Sequence, residues 1–121
     1  MMLPVAQESD SVTAMSGSRS RSGDNWIISI SAGNVPFNDG EDFRLYDTGT
    51  GASISPEGHV ATYQVSSSHF LVDGNQYLIW FNDNNDDGRV NGGDTIVIVD
   101  ADRNLEGYEF RIAGTSLRVT L

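Results

Sequence analysis

The chain has no cysteine among its 121 residues. That removes a disulfide framework, a thiolate metal site and a cysteine nucleophile. Lysine is absent too. All seven basic residues are arginine, set against seventeen carboxylates, for a formal charge of −10. Such a charge disfavours the phosphate backbone, so no nucleic-acid partner is expected; it suits cations, or a well-hydrated acidic surface. Asp outnumbers Glu twelve to five, a bias that GC-rich coding of a loop-rich chain and life in high salt both explain. No apolar run reaches the ~18 residues of a spanning helix, so no membrane span is expected in this chain. No basic stretch followed by an apolar one opens the sequence, so no intact signal peptide is read there. Apolar residues at helical spacing are missing over any useful length. No Asn-x-Ser/Thr sequon occurs, so N-glycosylation is not expected.

What is present is turn chemistry between short apolar runs. Thirteen glycines and fourteen serines punctuate the chain. Residues 1–24 read as a flexible N-terminal segment: 1–6 are briefly apolar, and Ser16-Gly17-Ser18-Arg19-Ser20-Arg21-Ser22-Gly23 follows. That composition buries too little apolar surface to offset chain entropy. From Trp26 the sequence becomes strand-like. Runs 26–31, 43–47, 59–65, 108–112 and 117–121 are β-branched or alternating. Runs 76–81 and 95–99 are nearly all apolar, as in strands covered on both faces. Turns such as Asn38-Asp39-Gly40, Asp73-Gly74-Asn75 and Ala113-Gly114-Thr115 separate them, the last joining a hairpin. The expected fold is all-β, an Ig-like or jelly-roll-like antiparallel β-sandwich over 25–121.

One segment carries chemistry. Residues 83–94 run Asp83-Asn84-Asn85-Asp86-Asp87-Gly88-Arg89-Val90-Asn91-Gly92-Gly93-Asp94. Oxygen-bearing residues fall at loop positions 1, 3, 5, 9 and 12, glycine at 6 and an apolar residue at 8, the spacing of a twelve-residue calcium loop. A hard cation takes six to eight oxygens at about 2.4 Å. Asp83, Asn85 and Asp87 converge as the chain curls, Gly88 permits the sharp turn, and the Arg89 carbonyl points inward. Val90 turns into the core; Asn91 ligates directly or through water; Asp94 closes the sphere. Without an ion, carboxylates this close repel. The expected cofactor is therefore Ca²⁺, and the ion-free alternative is an Asx-rich surface turn.

Asp83-x-Asn85-x-Asp87-Gly88-x-Val90-Asn91-x-x-Asp94 resembles the calcium loop of dockerin-type repeats more than that of a helix-flanked EF-hand. Those place a helix after the loop and dockerins carry the loop twice; here strands flank a single copy, so cohesin binding is not implied. The C-terminal half, with Gly93-Asp94-Thr95-Ile96-Val97-Ile98-Val99, then Gly107-Tyr108-Glu109-Phe110-Arg111-Ile112 and a terminal Val119-Thr120-Leu121, is similar to the globular domains of archaeal type IV pilin-like proteins. In that family a long apolar N-terminal helix builds a filament core and the β domain faces outward. The resemblance implies a structural subunit of an extracellular or cell-surface filament, with other copies of itself as partners. The helix is not in this sequence, and residues 1–6 would be its last turn at most.

Other candidates carry blander expectations. Asp100, Asp102 and Asn104 alternate like ligands but lack the following glycine, which favours a polar hairpin turn over a second ion site. Asn38-Asp39-Gly40-Glu41-Asp42 reads as a solvated turn. His59 and His69 lack metal-ligand spacing, and Ser66-Ser67-Ser68 lacks a nucleophile elbow. No paired acid–base signature appears, so an enzyme is not expected. A calcium-dependent carbohydrate- or surface-binding module is the alternative function. It requires Trp26, Tyr46, Tyr63 or Tyr77 to share an exposed face, whereas Trp80 reads as core.

Overall fold

The computed structural model of the protein describes residues 12–62 and 68–121. Eleven strands are found among them: β1 Ser16–Ser22, β2 Asn25–Ala32, β3 Asn34–Pro36, β4 Phe43–Tyr46, β5 Ser53–Ile54, β6 His69–Val72, β7 Asn75–Asn82, β8 Arg89–Asn91, β9 Thr95–Val99, β10 Glu109–Ile112 and β11 Arg118–Thr120. They form a five-stranded sheet, β1-β2-β9-β7-β6, a four-stranded sheet, β11-β10-β4-β5, and a two-stranded ribbon, β3-β8. All of these pairings are antiparallel. The fold is an all-β sandwich, as the spacing of short runs predicts.

Alternation explains the layers. In β2, Trp26, Ile28 and Ile30 are buried while Asn25, Ile27 and Ser29 are half-buried on the other face. β4 and β10 repeat the pattern with Phe43 and Leu45, and with Phe110 and Ile112. The inward rows of both sheets meet in one core. Its centre is aromatic: Phe37 stacks on Phe81 at 4.4 Å, and Phe43 meets Phe110 edge-on at 5.3 Å. In β9, Val97 is buried as well as Ile96 and Ile98, so that strand is covered on both faces. β7 is covered less evenly: Tyr77, Ile79 and Phe81 are buried, Trp80 is half-buried and Leu78 is exposed.

Two expectations are corrected. The flexible segment 1–24 is, from Ser16, a strand: β1 pairs along β2 from Ser16↔Ala32 to Ser22↔Asn25. Composition misleads there because an edge strand needs one hydrogen-bonded neighbour, and arginine stems can cover apolar surface. Arg19 and Arg21 do so, with their guanidinium carbons 5.5 and 4.6 Å from the Trp26 ring centroid. The strand expected at 59–65 does not form over His59, Val60 and Ala61; Thr62 makes one parallel bridge to Phe81, and the remainder lies outside the described residues. The short strands β3, β5, β6 and β8 have no counterpart in the expected set.

Candidate metal centre

The segment 83–94 is the connection between two neighbouring strands of the five-stranded sheet, β7 and β9. Asn82 pairs with Thr95 at its base, and the Asn82 amide donates to Thr95 Oγ1 at 3.1 Å. Within it the chain makes two turns around a short strand. Asp86 adopts φ 55° and Gly88 φ 72°, the left-handed region where glycine carries no side-chain penalty. β8 then runs beside β3, and the Phe37 N–H donates to the Gly88 carbonyl at 3.1 Å. Val90 is fully buried and pins the connection to the core, as its loop position predicts.

This path gathers carboxylates. Asp83, Asp87 and Asp94 each present an oxygen within 4.8 Å of the others. Ligands on opposite sides of a calcium ion lie about 4.8 Å apart, twice the usual Ca–O distance, so the trio fits inside one coordination sphere. Asp83 and Asp94 are buried and Asp87 is exposed, which leaves the cluster open on one side. Backbone donors hold the two buried groups. Asp83 accepts the N–H of Gly88 at 2.7 Å and of Asp87 at 3.3 Å; Asp94 accepts the N–H of Asn84 and of Asn91, both at 2.9 Å.

The other expected ligands sit at the rim. The Asn85 amide donates to Asn91 Oδ1 at 3.0 Å, and the Asn91 amide donates to Asp87 Oδ2 at 2.7 Å. Asn85, Asn91 and Asp87 therefore form one linked row beside the trio. The Arg89 N–H is held by Asp87 Oδ1 at 3.0 Å, while its guanidinium turns away to Asn34 Oδ1 on β3. Asn84 is a residue the loop pattern passes over, since it occupies an even position. It spans the turn, with its side-chain amide on the Gly93 carbonyl at 2.6 Å and its main-chain N–H on Asp94.

The electrostatics of the two kinds of carboxyl differ. Burial raises Asp94 above the usual 3.8; the N–H groups of Asn91 and Asn84 pull it back, and the charges of Asp83 and Asp87 push it up further. The Asn91 amide, opposed by some loss of hydration and aided by the Arg89 N–H, lowers Asp87. A raised native pKa means that the unfolded chain ionises first. Asp94 therefore subtracts stability as pH rises from 3.8 through its native value, and the loss is complete above it. A bound cation needs Asp94 ionised and reverses that penalty. The stabilising increment from calcium is accordingly expected to be larger at about pH 7 than at about pH 4. Unfolding midpoints with and without calcium at both pH values check this. In Asp94→Asn the falling limb above 3.8 should disappear.

The second alternating set behaves otherwise. Both Asp100 oxygens are taken by N–H donors, from the Trp26 indole, Asn104 and Leu105. Asp102 and Asn104 are exposed, and the Asn104 amide donates to the Tyr77 hydroxyl at 3.2 Å. This is a structural turn. The aromatic candidates are dispersed: Trp26 and Tyr77 are buried, and Tyr46 is half-buried with the Arg111 guanidinium 3.7 Å above its ring. Tyr63 lies outside the described residues. No family model, curated protein or solved structure matches the chain. What the observations define is an antiparallel β-sandwich bearing an acidic cluster able to hold a cation.

Proposed function

We propose that the chain is a structural subunit of an extracellular filament or surface appendage, its β domain stiffened by calcium at Asp83, Asp87 and Asp94. The convergence of these three carboxylates at the β7–β9 connection carries the reading. Asn85, Asn91 and the Arg89 carbonyl would complete the sphere. An ion there ties both ends of the connection together and fixes the register of two central strands, a mechanical role that needs no substrate. The pilin-like resemblance of the C-terminal half supports the filament. The carbohydrate-binding alternative has less support, because Trp26, Tyr46 and Tyr77 share no exposed face.

Thermal unfolding in EDTA against about 5 mM calcium tests the ion. For Kd values on the order of 10⁻³ to 10⁻⁴ M, typical of extracellular modules, calcium adds about 1 to 2.3 kcal/mol, a rise in midpoint of roughly 4–9 °C. The Asp83→Ala, Asp87→Ala double variant should lose the rise. No calcium-dependent shift in the parent protein would refute the ion site. Electron microscopy of the concentrated, calcium-loaded protein tests assembly, and dispersed particles throughout would count against a filament.

A further inference from the structure

The seven arginines are unevenly placed. Arg19, Arg21 and Arg103 gather on the Trp26 ring, and Arg89 bonds Asn34. The other three stand in a row on the outer face of the four-stranded sheet. Arg111 on β10 lies directly opposite Arg118 on β11 and directly opposite Arg44 on β4. Like charges at opposed strand positions repel. Here the repulsion occurs on both sides of one residue, in a chain with seventeen carboxylates available to face them.

Arg111 is held in place: it stacks on Tyr46, and its Nε and Nη2 donate to Glu109 Oε1 at 2.9 and 2.7 Å. Arg118 is exposed at the sheet edge. The three arginines line an open cleft of about 270 Å³ together with Ser53 and Thr115.

An acidic turn adjoins this row. Asp39 and Glu41 are exposed and Asp42 is half-buried. The turn is tied to the cleft at two points. Arg44 donates to the Glu41 carbonyl, and the N–H of Ala113, which lines the cleft, donates to the Asp42 carbonyl at 2.7 Å. The backbone of the Glu41–Asp42 turn therefore lies beside the arginine row, while Asp39 at the turn's far end faces His59 at 3.8 Å.

A surface of this kind is complementary to itself under a two-fold rotation. We infer that it is an isologous interface with a second copy of this chain: the turn bearing Asp39, Glu41 and Asp42 of each copy docks on the Arg44, Arg111 and Arg118 row of the other. Guanidinium–carboxylate pairing supplies directional, charge-assisted hydrogen bonds. The arriving carboxylates supply counter-charge to Arg44 and Arg118, since Arg111 already has Glu109. The inference deepens the self-association of the proposed function by naming one contact and does not depend on calcium; a filament needs a further, open-ended contact.

Sedimentation velocity at about 0.15 M salt tests it, because a Debye length of about 8 Å screens whole-molecule repulsion and leaves contact pairs in place. The wild-type protein should form a concentration-dependent dimer. Arg44→Glu with Arg118→Glu, and separately Asp39→Arg with Glu41→Arg, should each weaken it on the order of 100-fold. An equimolar mixture of the two double variants should regain the dimer. Arg118→Glu alone, at an exposed edge position, should weaken association about tenfold even where a double variant fails to fold. A wild-type protein that stays monomeric, including one that binds polyglutamate instead of itself, overturns the inference. So does a dimer that both reversals leave unchanged, or a mixture of folded variants that fails to pair. Filaments from a wild-type protein that forms no such dimer overturn this interface and keep the filament reading; dimers without filaments do the opposite.

Discussion

Replacing Asp100 with alanine is expected to destabilise the domain by about 3–5 kcal/mol, a large share of the 5–15 kcal/mol that such a domain has. Asp100 is 2% exposed and works as a buried acceptor. Its Oδ2 receives the Trp26 indole N–H at 2.9 Å and the Leu105 N–H at 2.8 Å; its Oδ1 receives the Asn104 N–H at 2.9 Å. Trp26 and Leu105 are themselves fully buried, so alanine strands two donors away from water. Each stranded donor costs about 1–3 kcal/mol, and the loss of a charged acceptor adds to that. Asp100→Asn keeps one acceptor oxygen but turns an amide toward a donor, so an intermediate loss is expected. Asp102→Ala, at an exposed position of the same turn, should change stability by less than about 0.5 kcal/mol. Urea unfolding of the three variants measures the series. Because Asp100 lies outside the 83–94 connection, its cost should be the same in EDTA and in calcium. A loss confined to calcium would mean that this turn itself holds an ion.

Asp100 also shows where the sequence is ambiguous. Asp100, Asp102 and Asn104 alternate like Asp83, Asn85 and Asp87, and spacing alone does not separate a carboxylate cluster from a capped turn. The difference lies in what each carboxylate faces. Asp100 meets an indole contributed by β2, seventy-four positions away, whereas Asp83 meets two other carboxylates from its own connection. Local chemistry is legible when its partners are local: the 83–94 loop, the left-handed Gly88 and the buried Val90 all follow from twelve consecutive residues. The strands β2, β7, β9 and β10 are legible because the alternating or apolar runs over them span five or six residues. β1 is hidden because its serines and arginines look like linker, and its stability comes from β2 and from the Trp26 ring beneath the arginines. β3, β5 and β8 are two or three residues each, too short to carry a period. The arginine row is invisible for the same reason as the Asp100 contact: Arg44, Arg111 and Arg118 meet only through strand register.

Phe81→Ala is expected to cost about 3–5 kcal/mol, the range for emptying a phenyl site in a core that collapses incompletely. At about 4 °C of midpoint per kcal/mol, that is a fall of roughly 12–20 °C. Phe81 is fully buried, stacks on Phe37 at 4.4 Å and meets Phe43 edge-on at 6.3 Å, so both ring contacts are lost through one deletion. Phe81→Leu refills most of the volume and should cost well under half as much. The consequence reaches the acidic cluster. Phe81 lies two residues before Asp83, and Phe37, its stacking partner, holds the Gly88 carbonyl through its own N–H. The stacked pair thus fixes the entry of the connection and its central turn against each other, and with them the spacing of Asp83 and Asp87. Loosening the pair should lower calcium affinity as well as stability, because the ion must then order what the core had already ordered. Titrating calcium against the unfolding midpoint of each variant reads both quantities. A Phe81→Ala protein that loses stability yet gains as much from calcium as the parent would show that the loop holds its geometry without the core beneath it.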